Sequence, residues 1–261
     1  MEIFADPTFW LLICAGLLAG IIDSIAGGGG LITVPALMVA GIPPTQTLGT
    51  NKLQSLFGSF SATLAYARGG HINLRKQAKQ ALFAFLGAIA GAFLALGLSN
   101  EVLTAILPIL LILVAFYFAF KPNIGDIDRE ERITPALFGF IIPPLIGFYD
   151  GIFGPGAGSF YMLAFVSLAG YGLLKATAHT KLLNFASNIG GFLVFASFDA
   201  IYWKIGIAMG IAQFIGAQIG ARIAMKIGTK LIKPLLIIIC IALAIKLLWN
   251  PHNPIREFLH F

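Results

Sequence analysis

Four consecutive glycines, Gly27 to Gly30, lie inside apolar sequence one helical turn after Asp23. A glycine run brings no side-chain bulk and no backbone preference, so it interrupts a helix. The apolar runs here approach the roughly 20 residues that carry a helix across a bilayer. In hydrocarbon, backbone groups freed by a broken helix survive only where protein buries them or where they line a water-filled cavity. The run therefore predicts a helix broken at membrane depth and a ligand site at the break. A second interruption follows in Gly154-Pro155-Gly156-Ala157-Gly158, one turn after Asp150.

Composition narrows the class. Of 261 residues, 58% are hydrophobic and 11% charged, where a soluble domain carries about 25% charged residues. This is the composition of a polytopic membrane protein. The net charge of +6 is then loop charge that sets orientation. Nucleic-acid binding needs a clustered basic face on a water-soluble domain, and no nucleic-acid partner is expected. Cys14 and Cys240 each sit in an apolar run, which favours small core residues over a disulfide or a metal site. No cofactor is expected. The residues before the first apolar run include Glu2 and Asp6 but no Lys or Arg, so 8–26 reads as a retained helix and not a signal peptide.

Apolar segments fall at 8–26, 31–41, 45–67, 80–98 and 102–120, and again at 133–153, 157–171, 173–196, 205–225 and 231–249. Each set has one short member, directly after its glycines. The sets read as an internal repeat. Leu18 to Gly29 matches Leu145 to Gly156 at 6 of 12 positions, with Asp150 following Asp23 by 127 residues. Gly87 to Ala95 matches Gly216 to Ala224 at 5 of 9 positions, 129 residues apart, and Lys52 and Lys181 share that spacing. Gly87-x-x-x-Gly91 and Gly216-x-x-x-Gly220 read as close helix-packing faces.

Basic residues gather at 68–79, 121–132 and 222–233, which places these stretches on the cytoplasmic side. If each short segment crosses, both sets have five crossings and opposite orientation; if the short segments are re-entrant, eight crossings and parallel sets result. The second case would put the lysines of 226–233 outside, so the inverted arrangement is preferred. The expected fold is an all-α polytopic membrane protein of two homologous repeats, 1–125 and 126–261. They form a single integral membrane domain with 8–10 membrane segments and two Gly-rich broken helices.

Polar residues at membrane depth are costly and mark pathways. Asp23, Asn51, Lys52 and Gln54 stand in the first set; Asp150, His179, Lys181 and Asn184 stand in the second. One account pairs carboxylates and lysines structurally. The other lets the lysines attract an anion while Asp23, Asp150 and His179 pair or carry protons. Two helix starts, after Gly30 and after Gly158, aim free N–H groups and a partial positive charge at the breaks, with Gly28, Gly29, Gly30, Gly156 and Gly158 as candidate substrate-binding positions. That favours a small anionic substrate. Thr50 and Thr180 are candidate hydroxyl donors beside the lysines, and Ser159 is either a helix N-cap or a ligand donor.

These residues resemble the sulfite exporter TauE/SafE family, also called toluene-sulfonate uptake permeases. The likeness is carried by Asp23-x-x-x-Gly27-Gly28-Gly29-Gly30 with Pro35, by Thr50-Asn51-Lys52, and by Asp150-x-x-x-Gly154-x-Gly156-x-Gly158 with Lys181. It extends from about residue 9 to 249. Such a resemblance implies a multi-pass permease of the bacterial inner membrane for sulfite, sulfonates or other sulfur oxyanions. The second break departs from four glycines at Pro155 and Ala157, and His179-Thr180 stands where Thr50-Asn51 stands in the first set, so the half-sites are inequivalent.

The function expected is a secondary carrier for a small sulfur-containing or organic anion, with the lipid bilayer as its environment. No nucleotide-binding loop is present to drive it. An anion channel is the alternative. An intramembrane aspartyl protease using Asp23 and Asp150 lacks the Gly-x-Gly-Asp motif, and the chain is not expected to be an enzyme. Oligomeric state stays open, with a homodimer as one option.

Overall fold

The computed structural model describes residues 7–120, 128–227 and 245. They form nine helices: α1 (Pro7–Ala26), α2 (Gly30–Val39), α3 (Pro44–Arg68), α4 (Leu74–Gly97), α5 (Asn100–Phe120), α6 (Pro135–Ile152), α7 (Ala157–Ser167), α8 (Leu173–Ser197) and α9 (Trp203–Ile227). The apolar segment expected at 231–249 lies outside the described residues, save Ile245. Helices α1, α4, α6 and α9 are long and apolar enough to cross a membrane. Helices α3 and α8 have 25 residues each, about 37 Å at the usual rise. They carry the polar residues of the interior.

Local signals place the helix starts. Pro44 and Pro135 occupy the first turns of α3 and α6, where a missing N–H costs nothing. Asn73 caps α4 by accepting the Lys76 N–H at 3.2 Å, and Thr134 caps α6 by accepting that of Leu137 at 3.4 Å. The cap at Asn73 starts α4 earlier than the apolar segment does. Arg75, Lys76 and Lys79 therefore lie on its first turns and not in a loop, and Arg222 and Lys226 likewise ride on α9. Hydropathy marks where lipid begins, whereas the cap marks where the helix begins.

Helix directions follow from the contacts. Gly87 and Gly91 of α4 pack so closely on α6 that a Cβ would overlap the carbonyls of Pro144 and Phe148; Gly147 and Gly151 of α6 meet those of Ala84 and Ala88. The α4–α6 pair is thus parallel. Helices α1 and α9 repeat the arrangement, with Gly16 and Gly20 against Met209 and Gln213, and Gly216 and Gly220 against Leu17 and Ile21. Small residues let backbones approach and gain dispersion along a continuous strip. Helix α3 also runs parallel to α9: Leu53 meets Gly206, Phe57 meets Gly210, and the Ser61 hydroxyl donates to the Phe214 carbonyl at 2.8 Å. Helix α8 runs parallel to α4, where Gly190 packs on the Phe85 carbonyl and Gln77 Nε2 donates to the His179 carbonyl at 2.9 Å.

The two bundles are opposed. Gly49, near the start of α3, packs against Ala200 just beyond the end of α8, and the Tyr202 N–H donates to Thr50 Oγ1 at 2.9 Å. Helix α3 thus starts where α8 ends. Helix α2 turns back toward the origin of α1, since Leu37 and Ile42 share a buried cluster with Leu12. Chain direction therefore alternates from one helix to the next. Helices α1, α3 and α4 run opposite to α6, α8 and α9 respectively.

Candidate functional site

The two interruptions meet. Helix α1 stops at Ala26 because Gly27 adopts φ +77°, a left-handed conformation that only glycine takes without strain. Gly156 at φ +83° plays the same part before α7. A Cβ on Gly27 would overlap the backbone of Gly158, and a Cβ on Gly158 would lie 2.8 Å from Gly27 Cα. Ser159 stitches the junction, its N–H donating to the Gly27 carbonyl at 3.0 Å and its hydroxyl to the Ala26 carbonyl. It serves as neither N-cap nor crevice donor; the N-cap of α7 is Gly156.

Beside this junction lies a narrow polar crevice with room for about one water molecule. Its lining takes Asp23, Gly27, Gly30, Asn51 and Ser55 from the stretch α1 to α3, and Asp150, Gly154, Gly156, Gly158, Asn184 and Asn188 from the stretch α6 to α8. Among the described residues, the N–H groups of Gly154, Gly156 and Gly158 have no acceptor. These glycines line the crevice at the start of α7, where the helix dipole is positive. Asn51 is held by its carbonyl oxygen, which accepts from Thr33 Oγ1 at 2.7 Å and from Gln54 Nε2 at 3.1 Å. Its amide nitrogen is left facing the crevice, on the side of Gly154.

The lysines reach the other half of the chain. Lys52 Nζ on α3 donates to Asp150 Oδ1 on α6 at 2.6 Å and to the Asp150 carbonyl; Lys181 Nζ on α8 donates to Asp23 Oδ2 on α1 at 3.4 Å and to the Asp23 carbonyl. Both lysines are fully buried. Each ammonium thus meets a carboxylate and a carbonyl near the C-terminal end of a broken helix, where the dipole favours a cation. Asp150 also accepts the Ser187 hydroxyl on Oδ2, and Asp23 Oδ1 accepts the Gly29 N–H at 3.2 Å. A buried charge must be paired to persist, and these are. The crevice wall therefore carries the carboxylates, the lysines stand behind it, and the two pairs sum to zero charge. That differs from a chamber lined by free lysines.

Of the residues singled out from sequence, Asp23, Gly30, Asn51, Asp150, Gly156, Gly158 and Asn184 come together at the crevice. Lys52, Lys181 and Gly29 stand behind it through the contacts above. Gln54 is buried, supporting Asn51, and Gly28 accepts the Leu31 N–H at 3.0 Å. Thr50 is occupied by Tyr202, and Thr180 Oγ1 is buried without a partner among the described residues. His179 is not among the lining residues; its ring packs on Tyr171 and Phe165 at centroid distances of 5.0 and 5.7 Å. Sequence reading missed Ser55, Ser187 and Asn188. Helical spacing points to two of them: Ser55 follows Asn51, and Asn188 follows Asn184, by one turn.

The sulfite exporter TauE/SafE family matches residues 12–247. A "Probable membrane transporter protein ORF9" of Sinorhizobium sp is 61% identical over 99% of both chains. "Probable membrane transporter protein YfcA" of Escherichia coli K12 is 46% identical over 96% of this chain and 93% of the relative. A "Probable membrane transporter protein" of Haemophilus influenzae is 42% identical over 92% and 94%. No solved structure matches. The helical bundle, its apolar spans and a match across nearly the whole length lead to one conclusion: this chain is a multi-pass membrane protein of the TauE/SafE transporter family.

Proposed function

We propose that the chain is a secondary carrier for a small anion, with sulfite, a sulfonate or another oxyanion as the substrate class, in a bacterial inner membrane. The observation that carries this reading is that Gly154, Gly156 and Gly158, whose N–H groups have no acceptor among the described residues, line a crevice between two broken helices. Backbone donors at a helix start suit a compact oxyanion, which accepts hydrogen bonds on every oxygen. The Asn51 amide supports the same choice. The lysines contribute by balancing Asp23 and Asp150, so that the carboxylates do not repel an incoming anion. Sulfite enters through the family's description alone.

We infer further that residues 1–125 and 126–261 are inverted repeats. The opposed directions of α1 and α6, α3 and α8, and α4 and α9 support this, as does each lysine's choice of the other half's aspartate. Inverted repeats that meet at broken helices near mid-membrane provide alternating access around one site. A carrier is favoured over a channel because the crevice is narrow and the two breaks are in contact.

The test uses purified protein in detergent and in vesicles. A thermal-shift panel of sulfite, thiosulfate, sulfonates and carboxylates should raise the unfolding temperature with at least one of them. That anion should then show saturable uptake and counterflow in vesicles. Uptake that never saturates would favour the channel, and a panel with no stabilising anion would remove the anion reading.

A further inference from the structure

The two lysine–aspartate pairs are not equivalent. Lys52 and Asp150 Oδ1 are 2.6 Å apart, and the Ser187 hydroxyl occupies Asp150 Oδ2. Both carboxylate oxygens of Asp150 are thus held by side-chain donors. Lys181 and Asp23 Oδ2 are 3.4 Å apart, and among the described residues Oδ1 receives only the Gly29 N–H at 3.2 Å. At the 129-residue spacing, the position matching Ser187 is Gly58, which has no hydroxyl to give. Asp23 is therefore the loosely held carboxylate, and it borders the crevice.

We infer that binding of a monovalent anion in this crevice takes up one proton, on Asp23, while Lys181 exchanges the Asp23 carboxylate for the anion and the Lys52–Asp150 pair stays closed. This rests on the anion reading above. The charges require it. The resting site is neutral, with two ammonium groups and two carboxylates. An added anion would leave one buried charge unpaired, which costs several kcal/mol. Protonating one carboxylate restores neutrality, and the weaker-held one gives way first. The proton comes from solvent and adds to a carboxylate oxygen, with no change of oxidation state. The groups facing Asp23 are few. Lys181 approaches from α8, Asp150 of α6 lines the same crevice, and Tyr66 of α3 donates its hydroxyl to the neighbouring Ser24 carbonyl at 2.8 Å. Helices α2 and α7 carry no acidic or basic side chain, and α9 presents Gly216 and Gly220 to this stretch of α1.

Methanesulfonate is the probe, since its charge stays constant across the range in which carboxylates titrate. It is added to purified full-length protein in weakly buffered detergent, and proton uptake is read with an indicator dye while calorimetry gives affinity. About one proton should be taken up per anion bound, and affinity should fall as pH rises, by up to about tenfold per pH unit. Asp23→Asn should bind with no proton uptake and no pH slope. Lys52→Met combined with Asp150→Asn, which keeps the resting site neutral, should shift affinity and keep the one-proton uptake. Binding by the wild-type protein without proton uptake overturns the inference even if no variant folds, and so does proton uptake that persists in Asp23→Asn. No binding of methanesulfonate, sulfite or acetate at any pH would overturn the anion reading and this inference together.

Discussion

Lys52 on α3 and Asp150 on α6 form a buried ion pair, Nζ to Oδ1 at 2.6 Å, between residues 98 positions apart. Lys181 and Asp23 mirror it across 158 positions. Both pairs tie the end of a broken helix to a long helix of the opposite half. Their contribution is less net stability than register, because the desolvation of two charges offsets most of their attraction. They specify which helix ends can meet.

Removing one partner should reveal the cost of a stranded charge. Lys52→Ala leaves Asp150 buried with only Ser187 beside it, and should cost about 3–5 kcal/mol of folding stability. Lys52→Met combined with Asp150→Asn should recover much of the loss, because no bare charge remains. Chemical denaturation of the purified variants in detergent measures both. A double variant no more stable than Lys52→Ala would deny that the stranded carboxylate is the cause.

Helix packing makes a separate demand. A Cβ at Gly91 would overlap the Phe148 carbonyl, and one at Gly87 that of Pro144. Gly91→Ala should therefore force α4 and α6 apart and destabilise by about 1–3 kcal/mol. Gly97, at the end of the same helix, has open space around it, and Gly97→Ala should be neutral or slightly stabilising by the helix-propensity difference. Thermal unfolding of the two variants side by side decides this. Equal losses would mean that helix propensity, and not backbone contact, governs both sites.

The helix ends lay close to where apolar runs stop. The breaks were visible because consecutive glycines in apolar sequence lack the helix propensity to carry a span onward. Partner choice was hidden. Nothing along the chain says that Lys52 bonds Asp150 and not Asp23, since that depends on α3 and α6 meeting from opposite halves. Ser187 and Asn188 drew no notice because serine and asparagine on a long helix are ordinary until the facing helix is known. The turns of α4 holding Arg75, Lys76 and Lys79 were hidden for the opposite reason: their polarity concealed a helix that Asn73 caps.

Contact between the breaks should matter for binding independently of charge. Gly158→Ala adds one methyl group that would lie 2.8 Å from Gly27 Cα. The backbone donors remain, but α7 has to retreat from the α1–α2 junction. The expected result is a loss of anion stabilisation of about tenfold or more in Kd, a difference of about 1.4 kcal/mol, read by thermal shift against anion concentration. Unaltered affinity in a folded Gly158→Ala protein would separate the crevice from the junction.

Outside the bundle, the stretch between the halves is fastened to the turn before α8. Asp128 accepts the Lys175 ammonium at 2.6 Å and the Gly172 N–H at 2.6 Å, and Lys175 lies 4.1 Å over the Tyr171 ring. The Lys175 hydrogen bond first, then the Gly172 N–H, holds the Asp128 carboxyl below the usual carboxylate range. A depressed carboxylate contributes stability above its unfolded value near 3.9, and that contribution is lost as pH falls through the folded value. Both side chains are largely exposed, so the tether is worth at most about 1 kcal/mol. Asp128→Asn should therefore lower the unfolding temperature slightly at neutral pH. The gap from wild type should close as pH drops below the carboxylate range, and it should shrink at high salt at every pH. Hydrogen exchange at the Gly172 amide should speed up in the variant. A gap that widens toward acid would place the stabilising charge elsewhere.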